Sequence, residues 1–170
     1  AGFTTVQSMG SPLDRELRDW IARGVIPGPH ILTSISPITN ETGDSDSIRL
    51  AIRERAQAGA DVITVFASHG IHHGGNRALS DKQIDAACSE ARAQGLRSAV
   101  YANGTDVVSA VIRAGCSSVE HGNLDSESVL QLFSEHQTYW APHLGLSYDN
   151  YIKNKERFLG IGQYTEDSYL

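Results

Sequence analysis

The chain has 170 residues, 40% hydrophobic and 20% charged, and a formal net charge of −6. That length holds one domain with a real core and is too short for two comfortable ones. The acidic balance excludes nucleic acid as the main partner, because phosphate binding wants a basic face, and no apolar run approaches the roughly 20 residues that span a membrane.

Residues 3–8 are a β-branched run and read as a strand. Ser11-Pro12 follows as an N-cap with proline at the first helical position, and Asp14 stands where a capping box places an acid. Leu13, Leu17 and Ile21 recur at helical spacing up to Gly24. The next strand is 30–34. Residues 35–47 form a polar loop, long for a structural connection and therefore a candidate functional one. A helix with Ile48, Ala51, Ile52 and Ala56 on one face runs to Gly59. Residues 61–68 are nearly all apolar, as a strand buried on both faces should be, with Thr64 in the middle. A glycine-rich loop at 69–79 holds His69, His72, His73 and Arg77. Ser80 and Gln83 make a capping box for a helix with Ile84, Ala87, Cys88 and Ala91.

The strand at 96–103 ends in Tyr101 and Asn103. Asn103-Gly104 turns into a helix that Thr105 caps, with Val108, Val111 and Ile112 on its stripe. The next strand, 117–122, ends in Glu120 and His121; alternation places Glu120 on the face opposite His121. Asp125 caps a helix with Val129, Leu132 and Phe133. Residues 138–144 are the last strand-like run, in which Tyr139 and Trp140 read as core and His143 closes the strand. The tail, 145–170, reads as a loop, a short helix at 149–158 and a loose end. Cys88 and Cys116 read as reduced core residues. With no signal-peptide pattern at the amino end, that predicts a cytoplasmic protein; the missing initiator Met points to a trimmed start.

Strand and helix thus alternate six times, with Gly24, Gly59, Gly95 and Gly115 stopping helices just before strands. This is the βα grammar of a parallel sheet with right-handed crossovers, obeyed by barrels and open sheets alike. The carboxyl ends of such strands share one rim, which carries the chemistry. Tyr101, Asn103 and His121 are therefore expected on one rim. No glycine-rich phosphate loop follows any strand, which weakens nucleotide-binding readings.

Five stretches carry a family resemblance: Ala-Gly-Phe-Thr-Thr-Val, Ile-Pro-Gly-Pro-His-Ile, Ala-Gly-Ala-Asp-Val-Ile, Val-Glu-His-Gly and Gly-Ile-Gly-Gln-Tyr-Thr-Glu-Asp. Together they resemble the amidohydrolase superfamily, in its imidazolonepropionase-like and prolidase-like metal-dependent branch. The resemblance covers nearly the whole chain. It implies an incomplete (β/α)8 TIM-type barrel of about six parallel strands over 1–170, lacking the first and last. It implies a hydrolase of amide or ester bonds that uses zinc or another divalent metal on a small-molecule substrate. Two open sheet edges predict a homo-oligomer or a partner fragment that covers them.

Residue by residue, the implied metal set is thin. The lysine that bridges two metals falls at Thr64, and the strand-five histidine pair reads Tyr101-Ala102-Asn103. Only His121 matches a ligand. Threonine cannot be carboxylated, a phenol is a poor zinc ligand at neutral pH, and one imidazole does not hold a catalytic zinc. The readings left open are a metal-dependent hydrolase, a metal-free protein that binds or moves protons through His121 and Tyr101, and a non-catalytic partial barrel that associates. Asn103, Thr64, His69 and His143 are the candidate substrate contacts. His69, His72, His73 and His143 could instead rebuild a metal site, and a solvated loop is the plainer alternative.

Overall fold

A computed structural model of the protein describes residues 2–70, 75–122, 127–142, 152–161 and 164–167. Among them, strands β1 (Thr5–Gln7), β2 (His30–Leu32), β3 (Val62–Phe66), β4 (Arg97–Ala102), β5 (Ser118–His121) and β6 (Tyr139–Ala141) alternate with helices. The helices are α1 (Asp14–Ala22), α2 (Ser45–Gln57), α3 (Asp81–Ala93), α4 (Thr105–Arg113), α5 (Glu127–His136) and the short α6 (Lys155–Phe158). Every strand pairing is parallel.

The strands form a pair, β1-β2, and a sheet in chain order, β3-β4-β5-β6. The chain after β2 bridges the two. Thr33 O accepts from Asp61 N–H (2.8 Å), Ile38 N–H donates to Thr64 O (2.8 Å), and Ile38 O accepts from Phe66 N–H (2.8 Å). Six parallel strands therefore follow one another as an arc of an α/β barrel, with an irregular seam where the regular ladder between β2 and β3 is missing.

Periodicity decides which face is buried. Val65, Val100, Val119 and Trp140 occupy matching register positions and pack with Ile84, Ala87, Val108, Val111 and Phe133 of the helices. The opposite face carries Phe66, Tyr101 and Glu120 in one register row. α1 contributes no buried residue; Arg18 ties it to the sheet through Asp61 (2.8 Å) and Gly59 O (2.9 Å).

The capping signals behave differently from one another. Ser80 and Gln83 form the expected reciprocal box. α1 is regular only from Asp14, after a turn in which Asp14 Oδ2 accepts from Ser11 N–H (2.8 Å). α4 is entered through Gly104 at φ 79° with no side-chain cap, so Thr105 is the first helical residue and not the cap. The expected Asp125 cap lies outside the described residues.

The cysteines are a plain correction. Cys88 of α3 and Cys116 before β5 form a disulfide, with both residues buried. Their spacing along the chain hides this, because the two positions meet only once β4 lies between their elements. The pairing removes the argument from reduced thiols for a cytoplasmic location. Among the described residues no helix is long and apolar enough to cross a membrane. Tyr139 is a second correction: it is 79% exposed, whereas Trp140 packs against the core as expected.

Candidate functional site

Tyr101 stands one residue before the end of β4, on the face away from the helices, in register with Phe66 on one side and Glu120 on the other. Its ring meets Phe66 edge-on at 5.5 Å between centroids. By simple alternation His121, paired with Ala102, would turn to the helix side. It does not, because its φ is 72°. That left-handed turn carries the imidazole to 4.4 Å from the Tyr101 ring, centroid to centroid. The backbone kink is held from both sides: Trp140 Nε1–H donates to His121 O (2.9 Å), and Gly122 N–H donates to Ala102 O (3.0 Å). Glu120, which the sequence placed away from the chemistry, lies in the same row as Tyr101, and its carboxylate accepts from the Ser118 hydroxyl (2.8 Å). Counting positions could not find this, because the reversal depends on one backbone angle.

The other candidates divide. His69 lines a cleft of about 500 Å³ with Tyr101, Phe66, Ser68, Thr39 and Glu41. Asn103 is buried just behind it, donating from its backbone N–H to Ser68 Oγ (2.9 Å) and from Nδ2 to His69 O (3.3 Å). Its amide thus holds the loop that carries His69. Thr64 is fully buried, and its hydroxyl has no hydrogen-bond partner among the described residues. His72, His73 and His143 lie outside the described residues. Arg77 bonds Asp81 and Asp106, tying α3 to α4. A larger cavity of about 650 Å³ beside it is lined by side chains of α3, α4 and the segments flanking them, with no strand residue, so it stands apart from the rim.

The loop at 35–47 was missed as a source of named residues, though its length marked it. It supplies Thr39, Asn40 and Glu41 to the cleft. These sit on a single 3-10 turn, Asn40–Thr42, capped by Thr39.

The donor set does not suit a divalent metal. Among the described residues no three His, Cys, Asp or Glu side chains come together to hold one. Beside His121 stands the Tyr101 phenol, and Thr64 lies three register positions below on β3; neither is an anionic or imidazole ligand. What the rim can do is acid–base work: an imidazole and a phenol in contact, next to a carboxylate and a cleft.

A comparison with the curated proteins finds no match. Solved structures do match. A Xaa-Pro dipeptidase with bound methionine is 26% identical with a TM-score of 0.82, over 99% of this chain and 48% of that one. A prolidase complexed with N-methylphosphonate-L-proline is 25% identical with a TM-score of 0.81, again over 99% and 48%. Ochratoxinase of A. niger, at 21% identity and a TM-score of 0.74 over 82% and 41%, shares the fold. The chain spans about half the length of these proteins. The family model described as the amidohydrolase family matches residues 1–155, across all six strands and the rim just described. The chain belongs to the amidohydrolase family.

Proposed function

We propose that the protein hydrolyses amide or ester bonds in small molecules, with the reacting group at the carboxyl rim of β3 to β5. The observation that carries this is the contact between the imidazole of His121 and the ring of Tyr101 beside an open cleft. The dipeptidase and prolidase among the similar structures make dipeptides the first substrates to try.

In this reading His121 takes the proton of an attacking water and returns it to the leaving amine or alcohol. The Tyr101 phenol donates to the carbonyl oxygen as charge gathers there. Phe66 packs edge-on against Tyr101, and Glu120 is its register partner on β5. No step is routed through a metal: among the described residues no three His, Cys, Asp or Glu side chains come together to hold one. Well-folded protein is expected to retain less than about a fifth of an equivalent of zinc, manganese or iron, against the three protein ligands a catalytic zinc needs. Stoichiometric metal by elemental analysis would reverse that.

The decisive experiment is turnover of a dipeptide and ester panel by the wild type, Tyr101→Phe and His121→Ala. Each substitution is expected to lower kcat/KM by about 100-fold or more, the scale of one acid–base group. If both variants turn over like the wild type, the assignment is wrong. The two edge strands, β1 and β6, also favour a homo-oligomer, which light scattering would show as a species above 18.4 kDa.

A further inference from the structure

The segment carrying Glu41 is anchored along its length. Arg55 of α2 donates from Nε to Ser36 O (2.7 Å) and from Nη2 to Pro37 O (3.1 Å). Ile38 is bridged to β3 on both of its backbone groups. Thr39 Oγ1 accepts from Glu41 N–H (3.2 Å), and Thr42 Oγ1 accepts from Thr39 N–H (3.0 Å). Beyond the turn, Gln83 Nε2 donates to Gly43 O (2.8 Å). The backbone that carries Glu41 is therefore held at the mouth of the cleft from both sides.

The chemistry of the cleft points one way. Glu41 is the one carboxylate among the described residues lining it, and no Lys or Arg lines it. Glu41 forms no ion pair among the described residues. The rings of Phe66 and Tyr101 and the hydroxyls of Thr39 and Ser68 also line it, with His69 among the other residues. An organic cation satisfies all of these: its charge pairs with the carboxylate, its donors reach the hydroxyls, and its apolar stem covers the rings. An anionic group in the same place would face the Glu41 carboxylate with no Lys or Arg in the lining to offset it.

We propose that this cleft holds the cationic end, an ammonium or guanidinium, of a small substrate, and that Glu41 selects it. The proposal rests on reading this rim as a substrate site, but its test reads binding alone. N-acetyl-L-arginine amide and its neutral isostere N-acetyl-L-citrulline amide are titrated into the whole chain by calorimetry. The arginine compound is expected to bind about tenfold tighter or better, about 1.4 kcal/mol. Glu41→Gln, at an exposed position with no side-chain bond, should bring the two affinities within about twofold, and raising salt from about 50 to about 500 mM should weaken only the arginine compound. Equal affinities in the wild type, no binding of either compound, or a preference that survives Glu41→Gln would each overturn the proposal. Should the preference hold while no dipeptide is ever hydrolysed, the cleft assignment stands and the hydrolase reading falls.

Discussion

His121 and Ile35 hold φ angles of 72° and 65°, a region that costs a side-chain-bearing residue energy and is rarest for a β-branched one. Both sit just where a strand gives way to the rim, at the end of β5 and beyond β2. At His121 the strain has a visible result, since it turns the imidazole onto Tyr101. Gly122, at φ 61°, completes the turn, and a Cβ there would stand 2.6 Å from Trp140 Nε1. Gly122→Ala is therefore expected to displace Trp140, release the hydrogen bond on His121 O and cost about 1–3 kcal/mol in urea unfolding. A variant as stable as the wild type would mean that the turn is not so constrained. Thr64 gives the opposite prediction. Its buried hydroxyl has no partner among the described residues, so Thr64→Val should raise stability by about 1 kcal/mol. A loss of stability instead would show that the hydroxyl has a use in solution.

Helices α2 and α3 are joined by more than apolar packing. Arg53 donates from Nε and Nη2 to the two oxygens of the buried Glu90 carboxylate, both at 2.9 Å, and Gln94 Nε2 donates to the same group at 2.8 Å. The hydrogen bonds from Arg53 hold Glu90 below the usual carboxylate range, against the opposing effect of burial. A carboxyl with a lowered pKa in the folded state stabilises the fold above its unfolded pKa and loses that contribution as pH falls through its folded pKa. Glu90→Gln should therefore be less stable than the wild type at pH 7. The difference should shrink once pH drops below about 4.5, and a gap constant down to pH 3 would refute the assignment. Arg55, half-buried against backbone carbonyls, has its pKa lowered by desolvation, but it holds the loop in place as a donor. The apolar part of the same layer is conventional: Ile84→Ala, at a fully buried position between α3 and the sheet, should cost about 2–5 kcal/mol.

At the scale of the molecule, one covalent bond crosses the layers. The disulfide joins positions 28 residues apart and ties α3 to the entrance of β5, over β4. Closing a loop of that length constrains the unfolded chain by about 3.5 kcal/mol on the chain-entropy account. Denaturation with and without reductant should differ by about that much, and unreduced, denatured protein should show no free thiol. Two free thiols per chain would refute the pairing. The irregular seam between β2 and β3 is the other feature of this scale. It lets the chain bulge at 33–38 and so delivers the 39–41 turn to the cleft, which a regular strand would have carried past it.

The sequence by itself determined the alternation of six strands and helices, the parallel topology and the apolar face of the central elements, though the stripe of α1 buries no residue. Those follow from periods of two and 3.6 residues and from glycines at helix ends, all local properties. It also pointed to Tyr101 and His121 as strand-end polar residues and to His69 on the glycine-rich loop. What the tertiary structure decided is nonlocal. Cys88 and Cys116 meet only through packing, Tyr139 is exposed because nothing among the described residues covers its face, and Glu41 reaches the cleft only because Ile38 is bridged to Val65. The side of the sheet to which His121 turns is set by a single backbone angle, held by a tryptophan 19 residues away. Periodicity carries no record of such contacts, since they are set by which surfaces close on one another after the elements have formed.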